Sequence, residues 1–287
     1  MKEFSSCKSA ISECIDHQTF AVAHLYNNEK TMHMHIHDCS EIYYSISGGK
    51  QFLIDDRFYN FNPGDIFFIN QFESHHLSQI DSEKHERIII SIHPEYLHKL
   101  STPQTDLNYC FSHRKTNFGH KISLTPKEQK HFQYYIHKLT SAEGFGQELL
   151  EQAAFLELMI FLNKSFQHSC RHDLLQYETV GSHYEQMNDI LSYINQNITN
   201  DLSIKTLAEH FFISTSHLCK LFKSETGTTI NKYITAKRIT LAKALLIEGN
   251  SVTEVCSLSG FKDYSNFFKT FTKTVGISPK KYAQFSV

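Results

Sequence analysis

Leu202-Ser203-Ile204-Lys205-Thr206-Leu207-Ala208 and Ser251-Val252-Thr253-Glu254-Val255-Cys256 open two copies of one pattern between Asp201 and Tyr282. The first copy turns through Phe212-Ile213-Ser214 and continues from Thr215 to Lys223, with Gly227 behind it. The second turns at Gly260-Phe261-Lys262 and continues from Asp263 through Phe271, with Gly276 behind it. Ser203 and Ser251 lie 48 residues apart, whereas Phe222 and Phe271, Gly227 and Gly276, and Tyr233 and Tyr282 lie 49 apart. One extra residue in the second turn accounts for the difference. A period shared over so many positions marks a duplicated helix-turn-helix unit.

Each copy has a physical reading. Ser203, Ser214 and Ser251 are N-cap residues, and Glu254 completes a capping box with Ser251. Small Ala208 and Cys256 fall where the second helix of each copy must cross the first closely. Leu218, Leu221 and Phe222 form an inward stripe, and Phe267 and Phe271 do the same in the second copy. The outward face of the first carries Thr215, Ser216, His217, Cys219, Lys220 and Lys223. That of the second carries Tyr264, Ser265, Asn266 and Lys269. A polar, basic outer face on the second helix is what reading a major groove requires. His217 and Lys220 can donate to base edges or phosphate, Asn266 can pair bidentately with adenine, and Tyr264 can pack on a thymine methyl. Some of these side chains are expected to meet only phosphate or solvent, because most protein–DNA hydrogen bonds go to the backbone. Cys219 reads either as a small groove-facing residue or as a redox-sensitive thiol. Asn231 to Glu248 is expected to be one helix joining the copies, ended by Gly249-Asn250.

These residues resemble the AraC/XylS family of bacterial transcription regulators over about the last hundred positions. The resemblance rests on Leu221-Phe222-Lys223, Glu225-Thr226-Gly227, Ala236-Lys237-Arg238-Ile239, Gly260-Phe261 and Gly276-Ile277-Ser278-Pro279-Lys280-Lys281-Tyr282. It implies a DNA module that places both reading helices in successive major grooves on one face of the duplex. The chain departs from the pattern at Thr272 and Ala283, where basic residues are usual.

Length and charge fit this reading. The 287 residues suggest two domains, each able to bury its own core. No apolar run approaches twenty residues, so no membrane span is expected, and the start Met1-Lys2-Glu3-Phe4-Ser5 shows no secretory h-region. Seven scattered cysteines without a C-x-x-C pair read as reduced thiols, so a cytoplasmic location is expected. Residues 1–187 carry 16 Lys and Arg against 23 Asp and Glu, whereas 188–287 carry 12 against 7. The basic part coincides with the duplicated unit, as phosphate neutralisation demands.

Residues 20–92 read as antiparallel β structure. Phe20–Tyr26, Thr31–His37, Ile42–Ser47, Gln51–Ile54, Arg57–Phe61, Ile66–Ile69 and Arg87–Ile92 are short β-rich runs punctuated by Gly48-Gly49, Asp55-Asp56 and Pro63-Gly64-Asp65. Such spacing implies a sandwich or small barrel. His35-x-His37-x₃-Glu41-x₆-Gly48 resembles the first cupin motif, and Asn62 to Asn70 with His75 resembles the sensor version in AraC-type regulators, which implies a cupin-like barrel. His35, His37, Glu41 and His75 are ligand-type residues. By the resemblance, metal cupins carry a histidine just after the Pro-Gly turn, where this chain has Phe67, so no metal is expected. The remaining readings are a hydrogen-bonded polar lining or an organic effector, such as a sugar, held by His35, His37, Glu41, Tyr43 and His75 with a rim charge such as Arg57 or Arg87.

Helices follow. Pro94–Leu100 is short, and Thr125-Pro126-Lys127-Glu128 is a capping box opening a helix to about Thr140. Gln147–Phe166 is apolar on more than one face, through Leu149, Leu150, Ala153, Leu156, Leu158, Ile160 and Phe161. That pattern fits either burial within one domain or pairing with a second protomer, and the family resemblance favours a homodimer. His168–Gly181 reads as a linker, and Met187, Ile190, Leu191, Ile194 and Ile198 begin the DNA module. The expected class is therefore α+β multidomain: a cupin-like sensor over 1–170, a linker over 171–183, and an all-α double helix-turn-helix domain over 184–287. The expected function is a non-enzymatic, effector-responsive activator of a carbohydrate uptake or catabolism operon, acting on promoter DNA with RNA polymerase and needing no cofactor. The alternatives are a stress- or virulence-responsive regulator of the same family, and a metal-dependent cupin enzyme fused to a DNA module. No G-x-S-x-G, P-loop, Rossmann fingerprint or based cysteine nucleophile is present.

Overall fold

The computed structural model describes residues 4–27, 35–48, 50–79, 85–113, 119–172 and 182–285. The chain forms two compact units, residues 1–54 with 59–179, and residues 180–287 with 55–58.

In the first unit, Ser6 caps α1 (Cys7–His17) by accepting from the Ser9 N–H. There follow β1 (Phe20–Asn27), β2 (Ser40–Ser47), β3 (Gln51–Ile54), β4 (Arg57–Asn60, whose first two residues are grouped with the second unit), β5 (Asp65–Ile69), β6 (His75–Gln79) and β7 (His85–Ile92). Then come α2 (Pro94–Leu100), α3 (Tyr109–Ser112), β8 (Lys121–Ser123), α4 (Pro126–Thr140) and α5 (Gln147–His172). A five-stranded sheet has the order β1-β7-β2-β5-β8, and a three-stranded sheet has the order β4-β3-β6.

Strand alternation divides the side chains of the larger sheet between two cores. Ile42, Tyr44, Ile66, Phe68, Ile88, Ile90 and Ile92 pack with Phe132, Ile136, Phe155, Leu158 and Leu162 of α4 and α5. Tyr43, Phe67, Ile69 and Ile89 pack instead with Phe52, Ile54 and Leu77 of the smaller sheet and with Ala10 and Cys14 of α1. Asn163 pins α5 from within: its amide oxygen accepts from the Cys110 N–H, and its nitrogen donates to the Leu107 and Met159 carbonyls.

Of the expected sandwich or small barrel, the first is found, two open antiparallel sheets that face each other, and only the closure into a barrel is corrected. Among the described residues, one edge of β6 pairs with β3 and the other meets only a single-residue bridge between His35 and His75, so no ladder closes the strands. Of the expected strand Thr31–His37, residues 31–34 lie outside the described residues. The expected linker is also corrected at its start, since α5 continues through His172, while 173–181 lie outside the described residues. Strands β6 and β8 and helix α1 are additions to the expected elements.

The second unit contains α6 (Ser182–Gln196), α7 (Ile204–His210), α8 (Thr215–Thr226), α9 (Ile230–Ile247), α10 (Val252–Leu258), α11 (Tyr264–Val275) and α12 (Pro279–Phe285). Ser203, Ser214 and Ser251 cap α7, α8 and α10, and Glu254 closes the capping box. Asp263 is the cap of α11 rather than its first residue, accepting from the Asn266 N–H. The two helix-turn-helix turns close alike, Ile213 N–H donating to the Ala208 carbonyl and Phe261 N–H to that of Cys256.

Candidate nucleic-acid interface and effector site

Helices α8 and α11 present the same division of faces. On α8, Leu218, Leu221 and Phe222 are buried, while Thr215, Ser216, His217, Cys219, Lys220 and Lys223 are exposed. On α11, Phe267 and Phe271 are buried, while Tyr264, Ser265, Asn266 and Lys269 are exposed. Thr270 Oγ1 donates to Asn266 Oδ1 at 3.4 Å, which leaves the amide nitrogen available to donate. Each helix ends at a glycine in the left-handed region, Gly227 at φ 67° and Gly276 at φ 87°.

The copies are coupled through α9. Arg238 donates from Nε to the Ile198 carbonyl at 2.9 Å and from Nη2 to the Asn200 carbonyl at 2.8 Å. Gly260, at the second turn, lies against this same segment: a Cβ there would stand 2.8 Å from the Ile198 oxygen and 3.0 Å from Arg238 Nε. The register of α10 and α11 therefore depends on the loop that precedes α7.

In the first unit, His35, His37, Glu41 and His75 meet in one cluster. His37 Nε2 is 3.0 Å from Glu41 Oε2, and His75 Nε2 is 3.9 Å from Glu41 Oε1. The ligand atoms of the three histidines lie within 4.8 Å of one another. Burial alone would push the Glu41 carboxyl up, but the hydrogen bond from His37 and the surrounding imidazoles bring it to about 2. Burial, reinforced by His35, holds His75 well below the ordinary histidine range. Phe67, the residue at the position where a histidine was expected of metal cupins, is wholly buried in the apolar core between the sheets.

Tyr43 is not in this cluster; its hydroxyl meets His85 Nε2 at 2.6 Å. Beside His85 on the same inward face of β7 are Arg87 and Ser91. Arg87 is 3% exposed, yet its Nε and Nη1 have no hydrogen-bond partner, and neither do His85 Nδ1 and Ser91 Oγ. Burial and the Arg87 charge bring the His85 pKa down to about 4. His85 and Ser91 were missed as site residues, and Arg87 was read only as a rim charge. The signal was present, since His85, Arg87 and Ser91 fall at alternate positions of a strand whose other face is Ile88, Ile90 and Ile92. Arg57 is exposed.

Comparison with known proteins finds one family match in each unit. Residues 18–159 match the AraC-like ligand binding domain, and residues 207–284 match a helix-turn-helix domain. The probable transcriptional regulator LumQ of Photobacterium leiognathi is 25% identical, covering 90% of this chain and 94% of its own. The melibiose operon regulatory protein of Escherichia coli (strain K12) is 27% identical, covering 88% and 83%. The raffinose operon transcriptional regulatory protein RafR of Pediococcus pentosaceus is 34% identical over a shorter stretch, 34% of this chain and 36% of its own. No helix among the described residues is long and apolar enough to cross a membrane.

Proposed function

Because the chain belongs to the AraC family of transcription regulators, we propose that it reads promoter DNA through α8 and α11 and responds to a polar effector held between its two sheets. The observation that carries the effector reading is Arg87. A buried guanidinium with two N–H groups unpaired is costly unless a ligand completes it. Hydroxyl oxygens of a sugar would accept from Arg87, with Tyr43 and His85 beside it and His35, His37, Glu41 and His75 at the other end of the same inward face. Regulation of a carbohydrate uptake or catabolism operon, by activation with RNA polymerase, is supported by relatives named for the melibiose and raffinose operons. Pairing of two copies through α5 is supported by Leu149, Leu150 and Ile160, which lie exposed on it.

Thermal-shift titration of the intact chain with a panel of sugars tests the effector. At least one sugar should raise the melting temperature, and Arg87→Gln should remove that response while promoter binding persists. Equal responses in both proteins would refute the role of Arg87. On the DNA side, Asn266→Ala should cost about 1–3 kcal/mol at one preferred base pair and relax preference there. Lys223→Ala, nearer the end of α8, should weaken all sequences alike and lower the salt slope by about one unit. Quantitative binding to a set of single-base promoter variants separates the two outcomes.

A further inference from the structure

The duplication sets each residue of α11 against a counterpart on α8. Reading back 49 positions, Tyr264, Phe268 and Thr272 stand where Thr215, Cys219 and Lys223 stand in the first copy. They recur at every fourth residue and so form one stripe along the outer side of the helix. On α8 that stripe is exposed and ends in a cation. On α11 it carries no charge: Tyr264 is 47% exposed, Phe268 is 39% exposed, and Thr272 is half-buried. The Tyr264 and Phe268 rings lie 6.3 Å apart, and the buried ring of Phe267 packs against Tyr264 at 6.4 Å. Phe268 was not among the expected reading residues, yet it shares its place with Cys219, which was.

We propose, on the reading that α11 enters the major groove, that Phe268 determines sequence specificity there. With Tyr264 it forms an apolar patch that recognises the 5-methyl groups of thymines. Thymine is the one base that presents a methyl in the major groove, and apolar side chains distinguish it by contact. Against cytosine, which lacks the methyl, the same rings gain no such contact. Ser265 and Lys269, each one residue beyond a ring and exposed, border the patch with donors for phosphate or base edges. The two copies then divide the work. Helix α8, with His217, Lys220 and Lys223, reads through hydrogen bonds and charge. Helix α11 has a threonine where α8 ends its stripe in Lys223, and reads methyls beside the polar contacts of Asn266 and Lys269.

Binding of the intact chain to a duplex that it enriches from a randomised pool tests the patch. Each thymine is replaced singly by deoxyuridine, which removes the methyl and leaves every hydrogen-bonding group in place. The α11 window is identified as the one whose base preference Asn266→Ala relaxes. At one thymine or more within it, the replacement should weaken wild-type binding about fourfold, the worth of one buried methyl-sized group. Phe268→Ser should bind the thymine and uracil duplexes alike at that position, while Phe268→Leu should keep the preference. Replacements in the α8 window should act equally on all three proteins. If Phe268→Ser fails to fold, the wild-type comparison decides. A wild-type chain indifferent to every uracil in a window where it protects guanine N7 would overturn the proposal and leave groove reading by α11 standing. A preference that survives in folded Phe268→Ser would overturn it too. Loss of the protected window itself would overturn both readings together.

Discussion

Phe222→Ala and Phe271→Ala should each destabilise the second unit by about 3–5 kcal/mol, the range for truncating a buried aromatic. Both rings are wholly buried. Phe222 packs edge-on to Tyr233 at 5.5 Å, and Phe271 lies between Phe267 and Tyr282 at 5.8 and 5.7 Å. Each ring thus joins a reading helix to the residues that support it, and its loss leaves a cavity that the short helices α7 and α10 cannot close. Denaturant unfolding followed by helical circular dichroism measures the cost, with Lys223→Ala as an exposed control expected near zero. A cost below about 1 kcal/mol for either phenylalanine would mean that its helix is held by something other than this core.

The two turns should respond to substitution with opposite signs. Phe212 in the first and Gly260 in the second occupy equivalent places, both in the left-handed region, at φ 54° and 82°. Gly260→Ala adds a Cβ at 2.8 Å from both the Ile198 oxygen and Thr199 Cα, groups of the backbone that cannot swing aside. Strain in φ adds about 1–2 kcal/mol, so a total of at least about 2 kcal/mol is expected. Phe212 is 95% exposed and contributes little packing at a conformation that glycine adopts freely. Phe212→Gly should therefore stabilise by about 0.5–1 kcal/mol. Melting of the two variants side by side checks the pair, and destabilisation by Phe212→Gly would show that its ring holds the turn.

The duplicated unit was legible because each copy states its own boundaries in local chemistry. Ser203, Ser214 and Ser251 cap, Gly227 and Gly276 terminate, and the inward aromatics recur at one period. The start of α11 was misplaced by one residue because Asp263 can be read equally as a first turn or as its cap. The first unit was harder for a physical reason. Strand β6 runs His75-His76-Leu77-Ser78-Gln79, with one apolar residue, and its place in the sheet comes from pairing Phe52 with Leu77 and Ile54 with His75, far away in the chain. Helix α1 buries only the small Ala10 and Cys14, too little for a visible stripe. Whether the strands close is decided by edge pairing, which no local pattern encodes. The histidine cluster was foreseen by residue, but what brings it together is the backbone bridge between His35 and His75 and the pairing of β3 with β6, and those are features of the fold.

The central claim is that α8 and α11 both read DNA. Footprinting of residues 182–287 on the promoter, with protection of guanine N7 as the major-groove signal, tests it most directly. Two protected windows about 10 bp apart on one face are expected, with a log–log salt slope of about −4.5 or steeper from five or more phosphate contacts. A single protected window would contradict the account, showing that one copy, the second with its sparser basic flank, serves as scaffold and does not enter the groove.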